Sequence, residues 1–147
     1  MTAGPWIVFG QFLEDEAKGV HQFHAHTLKV ALVKATWTPN TSTNAVWSDI
    51  SANEVSAVGN GYAQQTLTGS ISRTGTTVTY DGTDPEFEAS GGDIADARYA
   101  VIYNASASDK LVCYCLLDTT PADVDIANGT MLQILMNVSG IGTKAPA

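Results

Sequence analysis

The chain has 147 residues, 44% hydrophobic and 15% charged, with seven Lys and Arg against fifteen Asp and Glu and a net charge of −8. This length and composition give one domain with a sizeable core and exclude wholesale disorder. The acidic balance excludes a broad basic face for nucleic acid or an anionic membrane, and no stretch approaches the roughly 18 consecutive apolar residues of a membrane span. No cationic stretch precedes an apolar run at the N-terminus, so a Sec-type leader is not expected and folding in a cytoplasm is. Charge is sparse for a soluble monomer, which points to a surface partly covered by neighbours.

Ile7 to Gly19 reads as a helix. Ile7, Val8, Phe12, Leu13 and Ala17 recur near helical spacing, with Glu14, Asp15, Glu16 and Lys18 largely opposite and Gly19 as a stop; Gly10 weakens the pattern. Residues 1–25 are therefore expected to be an N-terminal helix or arm, laid against the domain or docked on a partner. Next come His21, His24 and His26. In a bent loop these could converge on a metal, whereas a strand would turn His21 away from the other two. Neither geometry gathers three ligands, so hydrogen-bonded, half-exposed imidazoles are expected.

Leu28 to Lys34 is a strand with Leu28, Val30 and Leu32 on one face. Thr36–Asn44 turns polar and predicts an exposed loop carrying Trp37, followed by a short helical turn over Trp47–Val55 with Ser48 or Asp49 as N-cap. Asn60-Gly61 signals a tight turn. Ala63–Gly69 is a strand, Ser70–Thr83 a meander turning at Thr74-Gly75, and Pro85–Ala89 a short strand with Phe87 inward.

Arg98–Asn104 and Leu111–Leu117, rich in Val, Ile, Tyr and Cys, form a central hairpin around the polar turn Ala105–Lys110. The second strand is apolar on both faces, as in a covered sheet. Cys113 and Cys115 share a face, too far apart along a strand for an easy disulfide, and pack as small hydrophobes. Asp118–Gly129 reads as an acidic loop, Thr130–Val138 as the last strand, and Ser139–Ala147 as a segment trailing over the surface or onto a neighbour. The fold class is mainly β: a single-domain antiparallel sandwich or barrel at residues 26–142, with the short N-terminal helix or arm and a flexible tail at 143–147.

Catalytic signatures are missing from the sequence. There is no nucleophile elbow, phosphate loop or Rossmann fingerprint. Asp123–Gly129 resembles a calcium loop but has Ala127 at its fifth position and Ile134 where the closing Glu belongs. Asp81, Asp84, Glu86 and Glu88 form an acidic patch, read as charge for solubility or for a basic neighbour rather than as a glycosidase pair. Four Asn-x-Ser/Thr sequons, at Asn40, Asn104, Asn128 and Asn137, reflect composition. No enzyme, cofactor or metal is expected.

The order of several short motifs resembles a family of small virion proteins of tailed bacteriophages. They run His26–Val33, Trp47–Ile50, Asn53–Val55, Gly61-Tyr62 leading to Thr66–Gly69, Ala97–Tyr103, Leu111–Tyr114, Asn128–Thr130 and Asn137–Ile141, covering about residues 26–142. Met1–Phe23 departs from that pattern. The resemblance implies a virion component without saying whether capsid or tail. The small size, β-rich core, acidity, pliable termini and missing catalytic residues then favour a capsid decoration (cement) protein on the outer shell, with the major capsid protein as partner and trimers of the chain expected by analogy with other decoration proteins. Tail or head–tail adaptor is the alternative, and a glycan-binding module using Trp37 and Trp47 a remote one. Trp6, Phe9, Phe12 and Trp37 are the expected partner contacts. On this reading, deleting Met1–Gly19 weakens shell binding and leaves the domain folded.

Overall fold

Short runs of β-branched and aromatic residues, punctuated by Gly, Asn and Asp turns, build one curled antiparallel sheet in the computed structural model, which describes residues 1–120, 122–136 and 140–146. In chain order the elements are β1 (Ile7–Val8), α1 (Gly10–Ala17), β2 (Thr27–Lys34), β3 (Gln65–Thr74), β4 (Thr77–Gly82), β5 (Glu86–Glu88), β6 (Ile94–Asn104), β7 (Lys110–Leu116), β8 (Val124–Ile126), β9 (Met131–Gln133) and β10 (Gly142–Lys144). The main sheet runs β1-β7-β6-β2-β3-β4-β10 and curls into a half-barrel, with β8 also paired to β6, while β5 and β9 form a separate pair. The expected mainly-β antiparallel class with a short helix near the N-terminus is what the chain adopts.

The expected hairpin is the centre of the sheet. β6 pairs β7 from Tyr99↔Leu116 to Asn104↔Lys110, and its other edge pairs β2 from Leu28↔Asn104 to Lys34↔Ala97. Period-two alternation then sorts the side chains. Leu28, Val30, Leu32, Ala100, Ile102, Cys113 and Cys115 share one buried face. Ala31, Val33, Val101 and Tyr99 share the other, where Trp37 packs edge-on against Tyr99 and Tyr114 with ring centres 5.2 and 5.4 Å away. Trp47 stacks on Tyr103 at 5.0 Å. Both faces are therefore covered, which is why β2 reads as nearly continuous apolar sequence.

Two glycines are needed where they stand. Gly61 follows Asn60 with φ +73°, as the Asn-Gly turn required. Gly69 lies where β3 passes the loop before β2, and a Cβ there would sit 2.4 Å from the Phe23 carbonyl oxygen.

Four expectations need correcting. Of the two forms expected of the N-terminus the chain takes the helix laid against the domain, but with a later start: Ile7 and Val8 join the sheet opposite Tyr114 and Cys113, so the helix begins only at Gly10. Phe9, Phe12 and Phe23 enter the common core. The tail does not trail freely, because Gly142–Lys144 pairs Tyr80, Thr79 and Val78 of β4. The acidic loop contains β8, which extends the line of β7 along β6. The last strand shortens to Met131–Gln133, paired with β5 around a buried Phe87; its expected end at Asn137 and Val138 lies outside the described residues.

Candidate functional site

Of the four aromatic residues expected to reach a partner, the fold leaves one partly open. Phe9 is 0%, Phe12 7% and Trp37 5% exposed. Phe9 is buried because its backbone N–H donates to Val112 O at 3.0 Å, which seats the ring 5.6 Å from Tyr114 and 6.4 Å from Trp37. Phe12 packs on His21 and Phe23. The Trp37 loop is held down by Asn44, whose Oδ1 accepts from the indole N–H at 3.3 Å, so Trp37 offers no platform for a sugar. Trp6 alone stays half-buried, packed against the core cluster.

What does face solvent beside these residues is an apolar cleft of about 440 Å³ on the outer side of β1, β7 and β6. Pro5, Ile7, Pro39, Tyr99, Tyr114 and Leu116 line it. The register creates it: Ile7 sits opposite Tyr114, and Tyr99 opposite Leu116. Burial and then the neighbouring Tyr99 push the Tyr114 phenol up, so it stays neutral and can donate a hydrogen bond. Arg98 at the rim is occupied by Asp123 at 2.7 Å. Neither Tyr99 nor Tyr114 is singled out by the sequence; the alternation along β7, with both cysteines on the core face, is the signal that Tyr114 points the other way.

The histidine segment forms a second polar centre. Asn104 is fully buried at the end of β6. Its Oδ1 accepts the Ser106 backbone N–H at 3.1 Å, which fixes the amide orientation, since a backbone N–H can only donate. Its Nδ2 therefore faces the Nδ1 atoms of both His21 and His26, each 3.0 Å away. His26 Nδ1 also lies 3.4 Å from the Gln22 backbone N–H. His24 is exposed, and the three imidazoles do not converge. Burial pushes the His21 pKa down, with the Asp15 carboxylate pulling it back up and Lys110 adding to the fall. Asp15 itself is buried and pairs with Lys110 Nζ at 2.9 Å.

No family model, curated protein or solved structure matches the chain.

The remaining candidates resolve into structural roles. Glu86 and Glu88 lie on one exposed face of β5, beside a polar cleft of about 400 Å³, and Glu86 accepts from Gln133 Nε2 at 2.8 Å. Asp84 accepts the Met136 backbone N–H at 2.6 Å. In the calcium-like stretch, Asp125 accepts from the Asp96 N–H and Asn128 from the Gly91 N–H, so these oxygens hold turns together. Among the described residues no group of three His, Cys, Asp or Glu is placed to hold a metal ion, and no helix is long and apolar enough to cross a membrane.

Cys113 and Cys115 are both free and buried. Burial pushes the Cys113 thiol well up and Cys115 up to about 12. Neither supplies thiolate at neutral pH, so neither is an attacking or redox-active sulfur. The native protein at pH 8 is expected to leave an aromatic disulfide reagent unreacted over the minutes in which the urea-unfolded chain releases two equivalents. Rapid labelling of one thiol in the native state would contradict this packing.

Proposed function

We propose that the protein is a structural component of a tailed-phage particle, a capsid decoration protein that binds and stabilises the shell of the major capsid protein. The observation that carries this reading is the ordered run of motifs between His26 and Ile141. Two features of the surface support an adhesive role. Charge is sparse, with seven basic residues in the whole chain. Large apolar side chains are also left outside: Ile7 in β1 is 42% and Leu13 in α1 58% exposed. The cleft beside Ile7 gives a shell-facing loop or strand an aromatic surface with tyrosine hydroxyls to orient it. Attachment at many equivalent shell positions makes weak individual contacts add up when the chain oligomerises.

Quantitative mass spectrometry of purified particles tests the assignment. Copies on the order of hundreds per particle are expected for a shell component, whereas about six or twelve would place the protein in the tail or at the head–tail junction. Absence from the particle would remove the virion reading altogether. At the level of the contact, Ile7→Glu is expected to weaken attachment to purified shells at least about tenfold, the size of loss typical for one buried anchor. Unchanged attachment would move the contact away from this cleft.

A further inference from the structure

We propose that the Asn104 carboxamide, clamped between the Nδ1 atoms of His21 and His26, is an acid-released latch that holds α1 and the loop after it on the sheet. The inference is independent of the virion reading and rests on hydrogen-bond polarity. Asn104 has one acceptor oxygen, taken by the Ser106 N–H, and two amide hydrogens, one for each imidazole. Both histidines must therefore be neutral, with their proton on Nε2 and a lone pair on Nδ1. Protonation of either ring places an N–H against an N–H, and at His21 the clash is buried, since Asn104 is 0% and His21 9% exposed. The resident hydrogen bond becomes a repulsion, and the ring can relieve it only by leaving.

The partners lie far apart in the chain. His21 and His26 belong to the segment joining α1 to β2, while Asn104 ends β6 at the turn into β7. Breaking the clamp frees the segment that carries Phe12 and Phe23 into the core. The charged groups facing His21 are Asp15 and Glu16 from α1, Lys110 from β7 and His26 from its own loop. Both carboxylates already accept from other donors. Asp15 is held by Lys110 and Gln11, and Glu16 by the Tyr80 hydroxyl and Lys144. His21 Nε2 is buried without a hydrogen-bond partner among the described residues, so the ring has no second anchor.

The direction of the pH dependence follows from linkage. His21 takes up a proton more readily when released, so the closed state is favoured above the released imidazole's pKa of about 6.5 and is lost as pH falls below it. The opening constant rises by about tenfold per pH unit until the closed-state pKa is reached.

Imidazole nitrogen NMR on the full chain tests the clamp directly. At pH 7.5 both His21 and His26 are expected as Nε2–H tautomers, and His21 is expected to titrate below the ordinary imidazole value of about 6.5. An Nδ1–H tautomer at either clamped ring, or a His21 that titrates at or above the ordinary imidazole value of about 6.5, overturns the proposal. Amide hydrogen exchange, corrected for intrinsic rates, then tests release. Between pH 7.5 and 5.5 the opening of residues 11–26 is expected to rise by up to about tenfold more than that of β2 and β6. An equal rise throughout the molecule, or none, overturns it. Asn104→Asp replaces the amide by an acceptor and is expected to reverse the pH dependence, while His24→Ala leaves it unchanged. Should Asn104→Asp fail to fold, the tautomers of the unaltered protein still decide.

Discussion

Removing Met1–Gly19 is expected to abolish cooperative folding, not to free a folded domain from its partner. The deleted segment contributes β1 to the sheet edge and two phenylalanines to the core. Truncating one buried Phe to Ala costs about 3–5 kcal/mol, and losing Phe9 and Phe12 together takes most or all of the roughly 5–15 kcal/mol by which a domain is stable. The deletion also strips Lys110 of Asp15 and the Tyr80 hydroxyl of Glu16. Urea unfolding of the full chain, followed by circular dichroism, should give one sigmoidal transition. The chain starting at Val20 should give none, or one shifted to near-zero denaturant. A truncated chain that keeps the midpoint and slope of the full one would restore the arm. The same reasoning rules out this deletion as a probe of shell attachment, because it would remove the fold along with the contact; Ile7→Glu on the exposed face is the cleaner probe.

Why the segment looked separable is instructive. Ile7, Val8, Phe12 and Leu13 do recur near a helical period, and the two-residue strand of Ile7 and Val8 is too short to show a competing alternation. The hairpin of β6 and β7 was legible because eleven and seven residues carry the pattern. β8 and β10, three residues each, were not, since pairing to a neighbour rather than local sequence makes them strands. The cysteines were readable as core from their shared face. Trp37 was misplaced for the opposite reason. Its polar neighbours Thr36, Thr38 and Asn40 mark a loop, yet the loop folds back so that the indole fills a space bounded by Phe9, Tyr99 and Tyr114. The histidine cluster could not be found by spacing at all, because Asn104, on which it turns, is 78 residues away from His26.

Lys110→Met is expected to destabilise the protein by about 2–3 kcal/mol at pH 7, below the roughly 3–5 kcal/mol of a fully buried broken pair because Lys110 keeps 27% of its side chain exposed. Its partner Asp15, at 4% exposure, would retain only Gln11 Nε2 at 3.2 Å. The double variant Asp15→Asn, Lys110→Met is expected to recover about 1–2 kcal/mol of that loss, since it removes the stranded charge along with its counterion. Burial raises the Asp15 pKa, but hydrogen bonds from Lys110 and Gln11 outweigh it and hold the carboxyl below its usual range. The pair therefore stabilises the protein above the unfolded carboxyl's pKa of about 3.9, and its contribution fades as pH falls further. Without Lys110 the same carboxyl is raised, so the gap between the two proteins should be widest at neutral pH and close on acidification. A gap that stays constant from pH 7 to 3 would mean that Lys110 acts through its stem packing alone. The substitution also reaches the latch, because Lys110 helps to keep His21 neutral. Its loss should move His21 titration upward and bring acid release closer to neutral pH, even as Asp15 and the sheet around it weaken.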